Sequence, residues 1–136
     1  MKIMIICSKK FYDEIPEIKN TLELNGHEIL LPNCFDKPKT EENIKKLGKE
    51  EHRKFKAKMF KQSEKVISDV DTVLILNFKK DDIENYIGGA TFLEMYDAFR
   101  MNKKIYMFNG IPKGILEDEI IGFNPIIING DLSKIQ

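Results

Sequence analysis

The run TVLILNFKKDDIENYIGGATFLEMYDAFRMNKKIYMFN, residues 72–109, decides the fold. Its opening, TVLILN, is apolar almost without a break, as a strand covered on both faces of a sheet requires. A polar loop with room for one short turn, KKDDIEN, follows at 79–85. GGATFLEMYDAFRMN then sets Phe92, Met95 and Phe99 at three- and four-residue spacing, with Leu93 and Tyr96 on the adjoining flank, and so reads as an amphipathic helix. KKIYMFN returns to a strand. Strand, helix and strand in that order form a crossover unit, which joins parallel neighbours.

The same alternation extends outward. Lys2 to Cys7 reads as a first strand, and Asp13 to Asn25 as a helix with Ile15, Ile18 and Leu22 on one face, ended by Gly26. HEILLP is a second strand stopped by Pro32, and Asn33 to Thr40 is a loop whose last residue is placed to cap the next helix. Glu41 to about Ser68 is charge-rich and is either one solvated helix or two joined pieces, since Gly48 weakens its first part. PIIIN, at 125–129, supplies a fifth strand. The chain is therefore expected to form one α/β domain over residues 1–136, a doubly wound, five-stranded parallel sheet with helices on both faces. Right-handed crossovers gather the loops that follow the strands along one edge, where open parallel sheets bind their ligands.

Composition narrows the partners. The 22 Lys plus Arg match the 22 Asp plus Glu, so there is no global basic field and a nucleic acid polymer is not expected. With 42% hydrophobic and 32% charged residues the chain reads as globular, and no run approaches the roughly 18 apolar residues of a membrane span. MKIMIIC is too short for a secretory signal core, which makes the cytoplasm the expected compartment. Cys7 and Cys34 are not in a Cys-x-x-Cys arrangement, and His27 and His52 belong to no ligand pattern. No metal and no cofactor is expected.

The candidate chemistry gathers at two loop ends. After the first strand, CSKK offers the Ser8 hydroxyl and the charge of Lys9 or Lys10. At the start of the fourth helix, Gly88, Gly89 and Thr91 read either as a flexible helix start or as an anion cradle of exposed backbone N–H groups. Neither loop carries a P-loop or GxGxxG pattern. Asp71, just before the third strand, is a strand-start cap or a ligand contact. Glu94 also has two readings: its spacing from Thr91 fits a capping box, while a carboxylate one turn inside a helix facing a cleft suits attack at an anomeric carbon.

The stretches DTVLILN, NYIGGATFLEMYDAF, KKIYMFNGIP and INGDLSKI, together with IMIICS near the start, resemble the nucleoside 2-deoxyribosyltransferase-like superfamily, in particular its 2'-deoxynucleoside 5'-phosphate N-hydrolases. The resemblance implies a flavodoxin-like fold, a small-molecule nucleoside or nucleotide as substrate, and Glu94 as nucleophile against C1'. It further implies that Ser8 and Lys10 hold a 5'-phosphate with the backbone of Gly88, Gly89 and Thr91. It also implies a homodimer or larger oligomer whose neighbour completes the pocket, with Asn109 near that region. Two positions depart from the pattern: Ser63 stands where an acidic residue helps with the base, with Glu64 beside it, and Gly88 replaces the serine of the hydrolases or the aspartate of the transferases. N-glycosidic hydrolysis is the expected activity. Its rivals are deoxyribosyl transfer, a nucleotide-binding or signalling module without turnover, and a flavin carrier with Tyr12, Phe78 and Tyr86 around the ring.

Overall fold

Alternate residues of the first strand, β1 (Lys2–Ile6), face opposite ways, and both directions are dry. In the computed structural model, which describes residues Met1–Gln136, Ile3 and Ile5 point to one face of the sheet and Met4 and Ile6 to the other. Every one of these side chains is buried. β2 (Glu28–Leu30) pairs on one side of β1 and β3 (Thr72–Ile75) on the other; β4 (Lys104–Met107) and β5 (Ile126–Ile127) follow. The order is β2-β1-β3-β4-β5 with all pairs parallel, and Ile3, Met4, Ile5 and Ile6 lie opposite Thr72, Val73, Leu74 and Ile75. Chain progress reverses direction at β1, so the crevice between β1 and β3 is the switch point.

α1 (Ile15–Leu24) covers the first face with Ile15, Ile18 and Leu22, the three positions its spacing marks. A 3-10 turn, Lys9–Glu14, replaces the expected start of this helix. The second face is covered by α3 (Lys49–Asp69), α4 (Gly89–Arg100) and α5 (Glu117–Gly122), which bury Ile67, Met95, Ala98 and Ile120 against Met4, Val73, Ile75 and Met107. Full burial of each large aliphatic side chain contributes about 1.5–3 kcal/mol. The doubly wound five-stranded sheet is thus the architecture observed. No helix is long and apolar enough to cross a membrane.

The charge-rich segment is two pieces. α2 (Thr40–Lys45) ends before Gly48, whose φ of 133° takes the chain out of helical geometry, and α3 begins at the next residue. Thr40 does not cap α2: Lys39 holds that position, and the Thr40 hydroxyl donates instead to the Lys37 carbonyl at 2.7 Å. In α4 the buried line is Thr91, Met95 and Ala98, which leaves Leu93, Tyr96 and Phe99 about half exposed. At the end of β3 the fully buried Asn77 donates to the carbonyls of Asn109 and Gly110, at 3.2 and 2.9 Å. It receives the Asn109 N–H on its own side-chain oxygen at 2.8 Å. The Asn109 amide returns a bond to the Asn77 carbonyl at 3.1 Å. These reciprocal bonds tie the ends of β3 and β4 together.

Candidate active site

Beyond the end of β1, on the side of the switch point covered by α3 and α4, lies a cleft of about 250 Å³. Cys7, Ser8 and Lys9 come from the loop after β1; Gly88, Gly89, Ala90, Thr91 and Glu94 come from the start of α4. The opposite wall belongs to Asn33 and Cys34, to Glu41 on α2, and to Phe55, Lys56, Met59 and Ser63 on α3.

Glu94 does not close a capping box. The N-cap of α4 is Gly88 and makes no side-chain cap bond, while Thr91 is buried inside the first turn. The first N–H groups of α4 therefore remain open toward the cleft, where the positive end of a helix favours an anion. Glu94, one turn further in, points its carboxylate into the same cleft. Burial raises its pKa from 4.5 to about 7; a hydrogen bond with the Ser63 hydroxyl pulls it down, the charge of Asp97 pushes it up and that of Lys56 pulls it down. Ser63 is itself held by the Asn33 side-chain amide at 2.6 Å, and that amide also reaches the Met59 carbonyl at 3.3 Å. A loop residue thus fixes the serine that stands beside the glutamate.

Several expected site residues stand elsewhere. Ser8 lines the cleft, and its hydroxyl accepts the Lys10 N–H at 3.4 Å, which starts the 3-10 turn. That turn brings Lys9, not Lys10, into the lining. Asp71 lies at the opposite edge of the sheet, outside the cleft lining, where its carboxylate accepts the Lys2 N–H at 2.7 Å and braces the strand start. Asn109 is spent on the clamp with Asn77 and lies outside the cleft. Glu64 is exposed and absent from the lining. At Gly88 an added Cβ would stand 3.2 Å from the Tyr86 hydroxyl, so a phenol occupies the space next to a position where the resemblance expects a side chain. Of the three aromatics considered for a flavin, Tyr12 lines the cleft, while Phe78 and Tyr86 pack edge-on around Phe11. Burial and then the charge of Glu94 push the Cys7 thiol up to about 12, which disfavours its thiolate.

Sequence reasoning did not single out Glu41, Asn33 or, Ser63 apart, the α3 wall. His52, Lys56, Met59 and Ser63 fall four, three and four residues apart, one face of a helix that otherwise points to water. Glu41 accepts from His52 Nε2 at 2.8 Å and lies 3.7 Å from Lys56 Nζ. Partial burial pushes its carboxyl up, but the His52 hydrogen bond and then Lys56, Lys9 and Lys45 outweigh this and hold it below the ordinary carboxylate range. The cleft therefore contains one carboxylate kept ionised and another biased toward its protonated form.

No family model and no curated protein matches the sequence. Solved structures that are similar in fold include two enzymes. One is the 2-deoxyribosyltransferase of the psychrotolerant bacterium Bacillus psychrosaccharolyticus, with 19% identity over 79% of this chain and 72% of that one, and a TM-score of 0.55. The other is the CMP N-glycosidase of Clostridium botulinum, with 16% identity over 95% of this chain and 90% of that one, and a TM-score of 0.55. The chain shares its fold, a parallel sheet of order β2-β1-β3-β4-β5 between helices, with these two enzymes.

Proposed function

We propose that the protein is a cytoplasmic N-glycosidase acting on a nucleoside 5'-monophosphate, with Glu94 as nucleophile. The observation that carries this reading is the placement of Glu94 in a cleft one helical turn beyond the open N–H groups of α4. An anion at that helix start, held also by Ser8 and Lys9, sets the attached sugar over the Glu94 carboxylate. The ionised carboxylate attacks C1', the C1'–N bond breaks, and its electron pair leaves with the base, which takes a proton from water. Water then opens the glycosyl ester, releasing the sugar phosphate and restoring Glu94. Ser63 keeps the carboxylate aimed through both steps.

The fold is shared equally with a transferase, and a second base in place of water would give deoxyribosyl transfer from the same ester. We assign a homodimer as the working unit: Phe92, Leu93, Tyr96, Phe99 and Phe123 line an apolar groove on the outer face of α4 and α5, a surface of the kind that subunit contacts cover.

The test is a panel of nucleosides and their 5'-monophosphates, read by chromatography for free base with and without an acceptor base. Release of base from a monophosphate, lowered by about three orders of magnitude or more in Glu94→Gln, supports the reading. Release only with an acceptor base makes the protein a transferase. Binding without release in either variant makes it a nucleotide-binding module.

A further inference from the structure

The second carboxylate of the cleft has no part in the mechanism above. Glu41 stands on α2, bound to His52 and Lys56, near the mouth of the α3 wall. Ser63, the partner of Glu94, lies on the same face of α3, seven residues beyond Lys56. Seven residues of α-helix rise about 10 Å. That span suits an attacked sugar carbon above Glu94, followed by a base ring reaching out to a hydrogen bond at its far edge. Between the two ends the wall is apolar at Met59 and Phe60, with Phe55 beside Lys56, as the face of a ring requires. The phosphate end is already given to Ser8, Lys9 and the start of α4, so the α3 wall is left for the base.

We propose that Glu41 and Lys56 read the base, Glu41 meeting its exocyclic group and Lys56 the adjoining ring nitrogen, an order that selects an amino donor next to a ring-nitrogen acceptor, the pattern of cytosine and adenine, over the carbonyl and N–H of uracil. An ionised carboxylate only accepts and an ammonium only donates. Side by side at 3.7 Å, they complement an amino group next to a lone pair, whereas a base carbonyl at Glu41 would set oxygen against oxygen. His52 holds the carboxylate in place from the third side.

The assignment deepens the glycosidase reading, so its test is separated from turnover. Calorimetric binding of CMP, UMP and cytidine is measured on Glu94→Gln and on Glu94→Gln with Glu41→Gln, both checked by melting. CMP should bind Glu94→Gln at least about tenfold more tightly than UMP, and Glu41→Gln should narrow the ratio to within about threefold, chiefly by a gain for UMP. An equal affinity for CMP and UMP in the parent overturns the proposal, as does a ratio that survives Glu41→Gln. So does a variant that changes CMP against cytidine but not CMP against UMP, which would place Glu41 at the phosphate end. If the preference holds while wild type releases no base, the glycosidase reading fails and the assignment of Glu41 stands. If base is released without preference, the reverse holds. If neither nucleotide binds, both fall.

Discussion

Replacing Glu94 by Gln should stabilise the protein while abolishing its chemistry, and the gain should depend on pH. The Glu94 carboxyl sits in surroundings that move its pKa from 4.5 to about 7, with burial the largest cause. A folded-state pKa above the unfolded one means that the protonated form favours folding. This contribution is complete below about pH 4.5 and is lost as pH rises through 7. At 1.36 kcal/mol for each tenfold change in protonation constant, the ionised form withholds about 3 kcal/mol at pH 8 and above. Glutamine has the shape of the protonated acid and keeps a partner for Ser63, so it escapes this cost. For a domain of this size about 3 kcal/mol is about 10 °C in melting temperature. Thermal melts of both proteins at intervals from pH 4.5 to 9 should show curves that nearly coincide in acid and separate to that extent in base. A difference that stays flat across the range, or a wild type that melts higher than the variant at pH 9, would refute the picture of a carboxylate held against its surroundings.

The same ionisation should shape catalysis: kcat/KM for a monophosphate rises with pH through about 7, because attack on C1' needs the deprotonated Glu94. A profile falling through that range would make Glu94 a proton donor instead. Lys9→Ala should raise KM for a monophosphate about tenfold and leave the nucleoside almost unaffected, while Lys10→Ala changes neither, as steady-state assays on matched pairs will show. Asn77→Ala removes the donor to two carbonyls and the acceptor for the Asn109 N–H in a dry site, and should cost about 2–4 kcal/mol in denaturant unfolding.

The sheet was legible because its signals are local. TVLILN and KKIYM are apolar on both faces, and Ile15, Ile18 and Leu22 recur at helical spacing; both patterns survive any detail of the tertiary structure. Glu94 and the paired glycines were legible for the same reason, standing at a junction of loop and helix. Lys9 and Lys10 are adjacent in sequence, and the choice between them depends on a 3-10 turn that opens on the Ser8 hydroxyl, a bond invisible in spacing. Asp71 and Asn109 carry chemistry-bearing side chains that backbone partners across the sheet consume. Glu41 read as a charge suited to a helix start, and only the packing of α2 on α3 brings it to the cleft. The stripe from His52 to Ser63 was present in the sequence but mixes polar and apolar residues, so a search for hydrophobic periodicity passes over it.

The break at Gly48 has a bearing on how such a protein diversifies. Beyond Asn33, which Ser63 and Met59 hold in place, residues 34–47 form an appendage that rejoins the chain at the start of α3, with α2 resting chiefly on α3 and no strand passing through it. Loop and helix there are free to lengthen, shorten or be exchanged without disturbing strand register, while Glu94 and the start of α4 stay where the sheet puts them. On the proposed reading, Glu41 then sits on a part of the chain that can vary, apart from the carboxylate proposed to attack the sugar.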